Sequence, residues 1–113
     1  MTINEYQKEA MRTASGVCAA TSDNLLLNGV MGLNGEAGEC IDAVKKWIFQ
    51  GHELNKDGII KELGDVCWYV AITAEALGVP LEEVMQRNVD KLMERYPDGF
   101  DPEKSLHRKP GDV

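Results

Sequence analysis

The sequence predicts an all-α protein, a four-helix antiparallel bundle with helices packed across a homo-oligomer interface. Three observations carry that expectation. Apolar residues recur at helical rather than alternating spacing along most of the chain, Gly and Pro punctuate it at intervals that suit helices, and no stretch reads as a strand. Connections are short, which favours antiparallel neighbours. With 113 residues, the chain suits one domain with a single modest core spanning about 3–97, followed by a polar tail over about 100–113.

The elements follow in order. Thr2-Ile3-Asn4-Glu5 has the form of a capping box, and Ile3, Tyr6, Ala10, Ala14 and Val17 continue at helical spacing, so a first helix is expected from about Ile3 to Ser15. After a polar break at 21–24, a second helix runs from Leu25 to Phe49, with Gly51 as its stop. Gly29, Gly32, Gly35 and Gly38 lie inside it. Each costs about 1 kcal/mol relative to alanine, which close approach of a backbone or ligand would offset. Asp57 is positioned to cap a third helix reaching Leu77, ended by Gly78 and Pro80. Between Val66 and Leu77 its only charge is Glu75, so burial at the centre or at a subunit interface is expected. Pro80 opens a fourth helix with Glu82 and Glu83 in its first turn, running to about Tyr96. From Phe100 onward the chain is polar, carries Pro102 and Pro110, and is expected to be extended or mobile.

Composition removes several function classes. Lys and Arg total 12 against 19 Asp and Glu, a formal net charge of -7, so neither nucleic acid nor an anionic membrane is an expected partner. Cys18, Cys40 and Cys67 are widely spaced and odd in number, which suits a reducing cytoplasm and argues against disulfides or a zinc cluster. There is no apolar run long enough to span a bilayer, and the opening residues have no signal-peptide core.

Chemistry concentrates in two acidic pairs. Glu36 and Glu39 on the second helix, and Glu62 and Asp65 on the third, are each spaced i, i+3 and share a helix face. The intervening chain suffices to turn and run back antiparallel, which would gather four carboxylates. Like charges so close repel unless a cation neutralises them. Oxygen-only donors suit Mg²⁺, with Mn²⁺ as a substitute, over zinc. On the fourth helix Asn88, Lys91 and Arg95 fall at i, i+3, i+7 and can clamp phosphates. Glu83, Asp90 and Glu94 lie at pairing distance from these cations, so a solvated salt-bridged face explains the same pattern. His52 and His107 offer no nucleophilic relay, and Tyr6, Trp47 and Trp68, which could stack on a nucleobase, are more readily core residues at their helical spacing.

The strings Gly35-Glu36-Ala37-Gly38-Glu39, Glu62-Leu63-Gly64-Asp65-Val66, and Asn88 with Lys91 and Arg95-Tyr96-Pro97 resemble MazG-type pyrophosphohydrolases, members of the all-α nucleoside triphosphate pyrophosphatase superfamily. The resemblance implies Mg²⁺, a four-helix core, a homodimer or homotetramer, and release of pyrophosphate from a nucleoside triphosphate. It makes Glu36, Glu39, Glu62 and Asp65 metal ligands, one of which also orients water. Lys91 and Arg95 become phosphate-binding, Asn88 substrate-contacting, and Lys45 and Lys46 added positive charge near the phosphates. Related scaffolds act on dUTP or phosphoribosyl-ATP, which leaves the base open. Two rivals remain. A di-iron bundle would add Glu-x-x-His motifs, which do not occur here. An acidic helical interaction module would dimerise through the third helix and bind no metal.

Overall fold

The computed structural model describes residues 1–113 and is helical throughout, with α1 (Ile3–Met11), a 3-10 turn (Gly16–Ala19), α2 (Ser22–Phe49), α3 (Lys56–Ala76), α4 (Leu81–Arg95) and α5 (Pro102–Leu106). The chain divides into two compact units, residues 1–81 and 82–113. No helix is long and apolar enough to cross a membrane.

In the first unit α3 packs against both α1 and α2. The capping box forms as expected, with Thr2 and Glu5 exchanging bonds between side chain and backbone. The first helix nevertheless ends at Met11 rather than Ser15. Its Ala10 carbonyl, which a longer helix would give to the Ala14 amide, accepts instead from the Thr13 backbone N–H, the Thr13 hydroxyl at 3.1 Å and the Trp68 indole Nε1 at 3.0 Å. A tertiary bond thus outcompetes the local pattern. Trp68 is thereby committed to structure, with a further bond to Thr13 Oγ1.

The second helix begins three residues before Leu25, because Thr21 accepts from the Asn24 amide and caps it. Gly51, at φ 72°, ends it as expected. Asn55, not Asp57, caps α3 by accepting from Gly58 N–H at 2.9 Å. Asp57 instead lies in the first turn, where it pairs with Lys61. Gly78, at φ 74°, closes α3.

Ala10, Ala71 and Leu81 form one core cluster, and Ala14, Leu25 and Ile72 a second. A polar residue completes this core. Gln7 is 6% exposed and donates to the Val79 carbonyl at 3.1 Å while accepting from the Leu81 amide at 2.7 Å. It thereby supplies the side-chain oxygen that opens α4.

Ala71, Ile72 and Ala74 of α3 are buried, whereas α2 leaves eight large apolar side chains exposed, from Leu27 to Phe49. At 100° per residue Leu27, Val30, Met31, Ile41 and Ile48 form one stripe. That stripe lies on the opposite face of the helix from Gly29, Gly32 and Glu36.

In the second unit the tail is partly helical instead of extended. Asp101 accepts from Glu103 N–H at 3.0 Å and Pro102 occupies the first turn, so α5 has its own cap.

Candidate functional site

Two glycines bring α2 and α3 together. A Cβ at Gly29 would run into Thr73, and one at Gly32 into the Tyr69 ring. As the numbers rise along α2 they fall along α3, so the helices are antiparallel. One turn beyond Gly32 stands Glu36, and one turn before Tyr69 stands Asp65. The close approach continues there as chemistry. Glu36, Glu62 and Asp65 each offer a carboxylate oxygen, all within 4.8 Å of one another.

The electrostatics of this group are those of uncompensated negative charge. A hydrogen bond with Glu62 raises the Glu36 carboxyl above its ordinary value, followed by desolvation and by the charges of Glu62, Asp65 and Glu39. The crowded negative charge therefore conflicts with ionisation of Glu36. A divalent cation removes the same conflict, and three oxygen donors on rigid helices, two of them half-buried, are the donor set for a hard ion. Around Gly38 and Gly64 there is open space, with nothing within 4 Å of where a Cβ would stand. Beside the cluster the Tyr6 hydroxyl donates to the Gly64 carbonyl at 3.5 Å. Burial raises its pKa, with Cys67 and Asp65 adding to the shift.

The remaining expected site residues are placed differently. Glu39 lies outside the three-carboxylate group, exposed one turn further along α2, yet close enough to act on both Glu36 and Lys46. Lys45 and Lys46 are both held by Asp42, at 3.4 and 2.7 Å. That partner is legible in the sequence as an acid at i−3 and i−4. On α4, Asn88 and Lys91 are exposed. Arg87 is paired with Glu83, as a solvated face predicts. Arg95 is instead engaged by Asp112, through Nε at 2.8 Å and Nη2 at 2.5 Å. No local spacing announces that pair, because the partner lies beyond α5.

Facing antiparallel helices that gather acids, with no histidine or cysteine among the donors, present the oxygen-only donor set that a hard divalent ion takes. The particular family follows from comparison. This chain belongs to the MazG nucleotide pyrophosphohydrolase family, whose domain model matches residues 27–100. It is 42% identical over 101 residues to the Gene 37 protein of Mycobacterium phage L5, covering 84% of this chain and 89% of that one. A shorter match, 44% over 41 residues, is to the uncharacterized protein YvdC of Bacillus subtilis, covering 36% of this chain and 39% of the relative. No solved structure matches.

Proposed function

We propose that this chain is a Mg²⁺-dependent nucleoside triphosphate pyrophosphohydrolase, converting a ribo- or deoxynucleoside triphosphate, canonical or damaged, into the monophosphate and pyrophosphate. The observation that carries the reading is the group of Glu36, Glu62 and Asp65 on the helices that the family domain covers. Membership of a pyrophosphohydrolase family supports the reaction type.

In this reading Glu36, Glu62 and Asp65 hold the ion, with Mn²⁺ able to replace Mg²⁺. When bound, such an ion neutralises phosphate charge and acts as a Lewis acid toward phosphoryl oxygens. Glu39, exposed at the edge of the cluster, orients the attacking water and takes its proton. The water oxygen bonds to the α-phosphorus as the α–β bridging bond breaks, and pyrophosphate leaves. Lys91 and Arg95 balance the charge on the departing group, and Asn88 contacts the substrate. Lys45 and Lys46 contribute after exchanging Asp42 for phosphate, their exposed ion pairs being weak enough to give way.

The α2 stripe supports a homo-oligomer, dimer or tetramer, in which a second copy covers Leu27, Met31, Ile41 and Ile48. In this reading assembly uses the face of α2 opposite the carboxylates.

The test is pyrophosphate release from a panel of canonical and damaged triphosphates with Mg²⁺, comparing wild type with Glu62→Gln and Asp65→Asn. Each variant should keep its far-UV circular dichroism and lose roughly 100-fold or more in rate. Undiminished release in both variants overturns the assignment. In addition, Mg²⁺ with a nonhydrolysable triphosphate should raise Tm, whereas a plain interaction module would show no such rise.

A further inference from the structure

Residues 82–113 contain eight acids and six bases, and the bases are strongly segregated. Five of the six, Lys91, Arg95, Lys104, Arg108 and Lys109, line a single cavity of about 590 Å³, alongside only two of the acids, Glu94 and Asp112. That volume lies within the range of small-molecule sites. In a chain with a formal net charge of -7, a cavity of this sign is a local exception.

Within it Arg95 and Asp112 meet fork to fork, through Nε to Oδ2 at 2.8 Å and Nη2 to Oδ1 at 2.5 Å. The Arg95 side chain is 9% exposed and that of Asp112 20%. A guanidinium presents the same planar pair of donors to a phosphate as to a carboxylate. The Asp112 carboxyl is held below its ordinary value, chiefly by the hydrogen bond from Arg95 and then by the charges of Arg95, Arg108 and Lys91. One negative group is therefore the focus of three cations, with Lys104 and Lys109 lining the same space. The segment that brings it there is not helical beyond α5. Asp112 is tied locally by a turn, its N–H donating to the Lys109 carbonyl at 3.1 Å beside Gly111 at φ 84°.

We propose that Asp112 is an internal stand-in for a diphosphate group, and that residues 110–113 form a strap whose withdrawal from Arg95 admits such a ligand among Lys91, Arg95, Arg108 and Lys109. A diphosphate brings several oxygens and more than one negative charge to five cations that Glu94 and Asp112 cannot all satisfy. The site needs neither the acidic cluster nor a metal. Where Arg95 also serves substrate phosphates, as proposed above, the strap withholds it until Asp112 is displaced.

The test is calorimetric titration of the full chain in EDTA at fixed ionic strength, with inorganic pyrophosphate and, separately, ADP. Wild type, Asp112→Asn, Arg108→Gln and Glu62→Gln are compared after each is checked by circular dichroism. Asp112→Asn should bind about tenfold tighter than wild type, and Arg108→Gln about tenfold more weakly. Equal affinity for the two ligands assigns the site to the diphosphate group alone, tighter ADP to a nucleotide, and tighter pyrophosphate to the free anion. Each of these supports the strap. Binding that Asp112→Asn leaves unchanged or weakens, absence of binding in both wild type and Asp112→Asn, or displacement by sulfate at equal charge overturns it. Glu62→Gln should bind as wild type does. Because it lacks an intact acidic cluster, loss of hydrolysis with retained binding separates the fate of this proposal from that of the catalytic reading.

Discussion

Replacing Gly32 by alanine sets helix propensity against packing. Exchanging an interior helical glycine for alanine stabilises by about 1 kcal/mol where space allows. At Gly32 the space is taken. The new Cβ would fall on the body of the Tyr69 ring, meeting Cε1, Cδ1 and Cζ together. That ring cannot readily turn aside, because it stands edge-on to Trp68 at 5.0 Å and Trp68 is anchored to Ala10 and Thr13. An overpacking cost at the upper end, about 3 kcal/mol, therefore applies, leaving a net loss of about 2 kcal/mol. With an unfolding entropy of about 2.1 cal/mol/K per residue, Tm falls by about 8 °C. Gly35→Ala is the matched control, since nothing lies within 4 Å of its Cβ position. It should raise Tm by about 4 °C. Both are measured by thermal denaturation at one protein concentration in EDTA. Because Glu36 lies one turn from Gly32, spreading the helices should also weaken Mg²⁺ binding in Gly32→Ala and leave it unchanged in Gly35→Ala. A Gly32→Ala variant that melts at or above wild type would refute the close approach of α2 and α3.

Other perturbations separate the remaining contributions. Gln7→Leu leaves the Val79 carbonyl and the Leu81 amide without their partner, and should cost roughly 2–4 kcal/mol in urea denaturation. Glu36→Gln removes one charge from the crowded cluster, so apo Tm should rise while the Mg²⁺-induced increase disappears. The pH dependence has opposite signs at two places. Asp112 has a folded pKa below 3.8, so its contribution is fully present above that value and is lost as pH falls through the depressed pKa, a loss that Asp112→Asn should abolish in an acid titration of Tm. Glu36 has a raised folded pKa, so the apo protein should lose stability as pH rises from 4.5 through it, and Glu36→Gln should flatten that limb. Ile41→Asp, on the outward stripe of α2, should shift sedimentation toward the monomer without changing the helical content.

The features legible in the sequence were those with local causes. The capping box and the Gly51 and Gly78 stops depend on residues a few positions apart, and each appears where its spacing places it. Three of the four carboxylates also come together, because an i, i+3 pair keeps its face whatever the helix packs against. What escaped depends on distant partners. The end of α1 is set by Trp68, far along the chain, and Arg95 is claimed by Asp112 across a turn and a short helix. The apolar character of α3 was visible, but not that α1 and α2 flank it, which leaves the outer face of α2 as the larger exposed stripe. The pairing of Asp42 with Lys45 and Lys46 is, by contrast, local, set by i, i+3 and i, i+4 spacing on one helix face.

The bond from Leu81 to Gln7 has a kinetic corollary. Amides in the first turn of a helix ordinarily exchange with solvent deuterium quickly, since no carbonyl of their own helix holds them. Leu81 is the exception, its N–H buried against the Gln7 Oε1 of a helix more than seventy residues earlier in the chain. Its exchange rate should therefore follow the detachment of α1 rather than the fraying of α4. One amide signal then serves as a clock for the opening of residues 1–81, readable without unfolding the chain.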